Sequence, residues 1–129
     1  MSHWPTHWPP EVREHYASTA RALVWDASIV EAMTASVEHV RALTESDRPR
    51  RHFLGVAEGA QWFFETVEVG GEQLVVRQLV VDDSGKTHHY GWQCLEDDEG
   101  GLTDASLDVA DVRPIEAVQF AEAWGRSGG

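Results

Sequence analysis

Near Phe53 the spacing of apolar residues changes from the helical period of about 3.6 to a period of 2, and β-branched and aromatic residues take over. A chain with that switch builds helices first and sheet second. Residues 60–69, Ala-Gln-Trp-Phe-Phe-Glu-Thr-Val-Glu-Val, run into Gly70-Gly71, a pair that accepts the positive φ of a tight hairpin turn. Residues 73–82 run into Asp83-Ser84-Gly85, a second turn, and residues 86–95 complete a three-stranded antiparallel meander. A short strand over 52–57 would make four.

Upstream of the switch, Val12, Tyr16, Ala20 and Leu23 recur at helical spacing behind Pro10, which suits a first helical position, so a helix is expected over 10–24. Ser28 and Glu31 have the capping-box spacing for a second helix with the stripe Val30, Met33, Val37, Val40 and Leu43. Pro49 ends it. Downstream, Pro114 is expected to open a last helix carrying Ile115, Val118, Phe120 and Trp124, with Gly125 closing it. The fold class that follows is α+β: two N-terminal helices packed on a three- to four-stranded antiparallel meander, with a C-terminal helix. Its expected organisation is an extended Trp/Pro arm at 1–9, one domain at 10–125 and a disordered tail at 126–129.

Composition narrows function more by exclusion than by assignment. With 10 Lys+Arg against 22 Asp+Glu the formal charge is −12, most of the acidic excess lying between residues 82 and 122. Binding of a phosphate backbone relies on clustered Lys and Arg, so direct nucleic-acid binding is not expected. The lone Cys94 excludes an internal disulfide, a cysteine zinc site and a dithiol redox centre. A reducing cytoplasm is the expected compartment. No apolar run has the length of a membrane span, and the start lacks a secretory pattern, so neither membrane insertion nor export is expected.

Most motif-like segments read as ordinary structure. Gly85-Lys86-Thr87 lacks the first glycine of a phosphate-binding loop, since Val80 stands in its place, and reads as a hairpin turn. Asp97, Asp98 and Glu99 offer hard oxygen ligands without the alternation of a calcium loop, and read as a solvated run. His3 and His7 are four apart with Pro5 between them, so no metal site and no cofactor are expected. Glu65 and Glu68 differ by three and in a strand face opposite sides, which rules them out as a carboxylate pair. The basic cluster Arg48, Arg50 and Arg51 reads as a helix-to-strand connection.

Two features stand out. In a strand His88, Tyr90, Trp92 and Cys94 share one face, and with Trp62 and Phe64 they outline an aromatic pocket between sheet and helices in which His88 or Tyr90 could serve a catalytic or ligand-binding role. The other is tryptophan, at six of 129 residues. Trp4 and Trp8 lie in the proline-rich arm, which either folds back across its own domain or docks on another chain.

Residues 60–124 resemble small bacterial immunity-type domains, the inhibitors encoded beside polymorphic toxins. The resemblance rests on Phe64 to Glu68, Val76 to Leu79, Gly85, Tyr90, the acidic Glu96 to Gly101 loop with Leu102, Thr103 and Asp104, and Phe120 and Trp124 in a closing helix. It implies an acidic protein-binding module that blocks a basic toxin or nucleic-acid enzyme. The partner-binding candidates are Trp4, Trp8, Glu96, Asp97, Asp98, Glu99 and Asp104. The alternative is a small enzyme or ligand-binding protein using Trp62, Phe64, His88, Tyr90 and Trp92 around a small molecule. A third reading is a scaffolding subunit, a homo-oligomer held by the arm.

Overall fold

The computed structural model describes residues 4–103 and 106–126. Helix α1 spans Pro10–Leu23 and buries Val12, Tyr16 and Ala20, as their spacing predicts. It ends at Val24, whose left-handed conformation (φ 54°) turns the chain out of the helix. Helix α2 spans Ala27–Thr44, and its cap is Asp26 rather than the expected Ser28. The Asp26 carboxylate accepts from the Ile29 backbone N–H at 3.0 Å and from the Ser28 hydroxyl at 2.7 Å. Ser28 thus braces the cap from inside the first turn instead of forming a box with Glu31.

The α+β architecture has three helices and a five-stranded antiparallel sheet in the order β4-β3-β2-β1-β7. Its strands are β1 Arg50–Ala57, β2 Ala60–Val69, β3 Glu72–Val81, β4 Thr87–Tyr90 and β7 Arg113–Ile115. The segment expected as a marginal fourth strand is an interior one, paired with β2 on one side and β7 on the other. Gly70 (φ 58°) and Gly71 (φ 83°) supply the left-handed turn between β2 and β3. A two-stranded hairpin, β5 Glu96–Asp97 with β6 Gly100–Gly101, stands apart from the sheet.

Three expectations need correction. The strand expected over 86–95 stops at Tyr90, because Gly91 and Cys94 exchange backbone hydrogen bonds of 3.1 Å in both directions and fold residues 91–94 into a turn. Trp92 is thereby carried off the sheet face. Pro114 sits in β7 opposite Phe53 instead of opening the last helix, since an edge strand tolerates a residue without an N–H. Helix α3 spans Ala117–Arg126, starting behind Glu116, whose N–H donates to Gln119 Oε1 at 2.7 Å, and running through Gly125. The expected tail therefore begins in helix at Arg126, and residues 127–129 lie outside the described residues.

The arm folds back. Trp4 and Trp8 are 9% and 1% exposed and join Val12, Tyr16, Ala20, Val37 and Trp92 in one cluster, with Trp25, Met33 and Leu95 packed against it. Trp8 lies 5.8 Å from Trp4 and 5.6 Å from Tyr16 between ring centroids, and its indole N–H donates to Glu38. Tyr16 ties this helical core to the sheet, donating to the Trp92 carbonyl at 2.7 Å and accepting from the Leu95 N–H at 3.0 Å. A second cluster, Phe53, Phe64 and Val75, lies on one sheet face under Leu102, Leu107 and Val112 of the long connection from β4 to β7. On the other face α3 sets Phe120 5.2 Å from His52 and Trp124 4.6 Å from His89.

Candidate functional site

Strand register assembles the site. Trp62 pairs with Val80 and Val80 with His88, while Phe64 pairs with Gln78 and Gln78 with Tyr90, so two rows cross β2, β3 and β4 on one face. The β5–β6 hairpin folds over the outer end of these rows. Between them lies a cleft of about 280 Å³ lined by Trp62, Val80, Asp82, His88, Tyr90 and Glu99, with Gln78, Gly100 and Gly101 completing it.

The hairpin is held by its own backbone and by the sheet beneath. Asp97 Oδ1 accepts from the Tyr90 hydroxyl at 2.9 Å and from the N–H groups of Glu99 and Gly100 at 2.8 and 3.1 Å. Gln78 donates to the Gly101 carbonyl at 3.1 Å and accepts from the Thr103 N–H and hydroxyl at 2.9 Å each. Burial together with the Asp97 carboxylate pushes the Tyr90 phenol well above its ordinary range, so it stays a donor. At the other end, Asp82 accepts from the Ser84 hydroxyl (2.6 Å), from His88 Nε2 (3.2 Å) and from the N–H groups of Ser84 and Lys86. These bonds hold its carboxyl far below the usual range and keep it charged.

The structure sorts the expected residues into separate places. Trp62, His88 and Tyr90 do converge, but against the acidic hairpin rather than between sheet and helices. Phe64 belongs to the apolar cluster with Phe53 and Val75, and Trp62 packs against that cluster from beside the cleft. Trp92 is in the helical core, with the Arg41 guanidinium 4.6 Å from its ring centroid, so it is not a pocket residue. Trp4 and Trp8 are core residues and not docking residues, because their rings are covered by α1 and α2. Glu96, Asp98 and Glu99 are exposed, whereas the Asp97 carboxylate is engaged within the hairpin. Asp104 lies outside the described residues. A separate crevice of about 350 Å³ between α2 and the sheet, lined by Met33, Val40, Leu43, Leu95 and Leu102 among others, holds none of the five pocket candidates.

One group went unread in the sequence. Glu65, 6% exposed, takes a two-pronged bond from Arg77 (Nε 2.7 Å, Nη2 3.0 Å), lies 3.0 Å from His52 Nε2 and 3.5 Å from Arg50 Nη1, and is covered by α3. Burial disfavours its charge, but the Arg77 hydrogen bonds and charge, with His52, outweigh burial and hold its carboxyl below the usual range. Counting across the Gly70-Gly71 turn would set Val76 opposite Glu65; a bulge between Glu65 and Thr66 shifts the register by one residue and brings Arg77 there instead, which no spacing in the sequence reports.

The Ser84 hydroxyl is turned to Asp82 and not to the His88 ring. The Cys94 thiol is pushed up by burial and by Asp97, away from the reactive thiolate. Among the described residues no three His, Cys, Asp or Glu side chains gather to hold a metal ion. Among the described residues no helix is long and apolar enough to cross a membrane. Searches of protein-family models, curated proteins and solved structures find no match to this chain.

Proposed function

We propose that this chain is an acidic protein-binding module that engages a basic partner through the β5–β6 hairpin and the neighbouring β3–β4 turn, in the manner of an immunity-type inhibitor. The observation that carries the reading is the anchoring of the hairpin. Asp97 and Gln78 fix its backbone from below, which leaves Glu96, Asp98 and Glu99 exposed on a scaffold that needs no ordering on binding. Carboxylates presented this way stand in for the phosphates that a basic nucleic-acid enzyme expects, and speed its encounter through charge complementarity.

The test is affinity capture from native lysate at low and high salt with three baits: wild type, Glu96→Gln/Asp98→Asn/Glu99→Gln, and the control Glu11→Gln/Glu31→Gln on the helices. One stoichiometric basic protein held by wild type and control, and lost from the hairpin variant and at high salt, is expected. A partner retained equally by the hairpin variant refutes the role of that surface, and the absence of any basic partner at either salt refutes the module itself. The second reading, a small-molecule binder, is favoured by the cleft beside His88 and predicts a ligand that co-purifies at both salts.

A further inference from the structure

We propose that the cleft between Trp62 and the β5–β6 hairpin is a socket for one guanidinium side chain of that partner, an inference that rests on the protein-binding reading above. Three features of the cleft select this occupant. Its volume, about 280 Å³, suits a single side chain and not a large ligand. One wall is the half-buried Trp62 ring, and indole faces attract planar cations more strongly than other side chains do. Asp82 and Glu99 set negative charge on its lining, where a delocalised cation with donors along its edge meets both better than a point charge does.

The mouth is open because glycine forms it. A Cβ added at Gly100 would lie 3.4 Å from the Tyr90 hydroxyl, so a longer side chain there grows into the cleft. Lys86 is the resident cation. Its Nζ stands 3.5 Å from Glu99 Oε1, with the two side chains 63% and 49% exposed, a contact weak enough for an incoming guanidinium to displace. His88 and Tyr90, 8% and 2% exposed, also line the cleft, and their polar atoms are engaged with Asp82 and Asp97.

The experiment titrates the ¹⁵N-labelled full chain with N-acetyl-arginine amide, its neutral citrulline analogue and N-acetyl-lysine amide. The indole N–H signals of the six tryptophans are read out, with Trp62 identified by Trp62→Phe. The arginine probe is expected to shift Trp62 and the Gly100 and Gly101 amides saturably, with a Kd on the order of 1–10 mM, the lysine probe less, and citrulline at least about tenfold more weakly. Gly100→Leu should abolish the shift and Glu99→Gln should weaken it about two- to fivefold, both variants keeping the wild-type dispersion of the spectrum. Equal shifts with arginine and citrulline, an unmoved Trp62, or full binding by Gly100→Leu would overturn the socket. An arginine-rich dodecapeptide in the same spectra separates the two readings. If it shifts the Glu96 to Glu99 amides while the arginine probe leaves Trp62 unmoved, the socket fails and the acidic surface stands; if neither moves them, both fail.

Discussion

Replacing Glu65 by alanine tests the charge network beneath α3. The variant removes one carboxylate and strands three partners, Arg77, His52 and Arg50. Breaking a fully buried pair from one side costs about 3–5 kcal/mol. Two facts reduce that figure here. The Arg77 and Arg50 side chains are 36% and 26% exposed, and Arg50 keeps backbone acceptors at the end of α2, among them the Ser46 carbonyl at 3.0 Å. The expected loss is therefore about 2–3 kcal/mol, or about 6–15 °C in Tm for a chain of this size. Urea unfolding followed by near-ultraviolet circular dichroism at pH 7 measures it.

The pH dependence gives a second arm. The folded carboxyl titrates below its unfolded value of 4.5, so its contribution is complete above that value and is lost as pH falls through the lower folded one. Wild type should thus converge on Glu65→Ala in stability as the pH is lowered from 5 toward 3, and Glu65→Gln should lack the same acid-dependent component. A Glu65→Ala loss under about 0.5 kcal/mol at pH 7, or a gap that does not narrow as the pH falls below 4.5, refutes the network as a stabilising element.

The remaining predictions are shorter. Trp8→Ala should cost about 3–5 kcal/mol in urea unfolding, because the ring is core; a cost below about 1 kcal/mol would detach the arm from the domain. Burial pushes the Tyr16 phenol well above its ordinary range, as it does for Tyr90, so both contribute stability that is whole below about pH 10 and lost as pH rises beyond it. Tyr16→Phe and Tyr90→Phe should each blunt alkaline unfolding, read by fluorescence between pH 8 and 12, and an unchanged alkaline midpoint in both would contradict their burial. Asp26→Ala should lower thermal stability more than Ser28→Ala, since Asp26 holds the cap; the reverse order would restore the capping box.

What could be read in the sequence was what neighbouring residues determine. The α1 stripe of Val12, Tyr16 and Ala20 and the Gly70-Gly71 turn are local patterns, and the structure keeps them. β1 was underrated because a short apolar run says nothing of its neighbours, and its interior place depends on β7, more than fifty residues away. Pro114 carries a helix-start signal that tertiary pairing overrides. For the site, the row of Trp62, Val80 and His88 depends on the one-residue bulge between Glu65 and Thr66, since the turn alone would set Leu79 opposite Trp62. Placement of the acidic hairpin over that row depends on Gln78 reaching Gly101 and Thr103, more than twenty residues on, and on the 91–94 turn bringing Asp97 back to Tyr90, and no spacing rule reports that.

The order of synthesis gives the sheet topology another meaning. Strands β1 to β4 are complete by Tyr90, yet the cover for both faces, Leu102, Leu107 and Val112 on one and Phe120 and Trp124 on the other, is encoded after it. An emerging chain that has passed Tyr90 has α2 to set against β3 but lacks this later cover, which leaves Phe53 and Phe64 bare and β1 unpaired on its β7 edge. Pairing of β7 with β1 closes the longest loop in the sheet, the costliest in closure entropy, and is expected to form last. Products that end between residues 90 and 116 are thus expected to expose this surface and to aggregate or be degraded, so the segment after Tyr90 acts as a seal on the sheet.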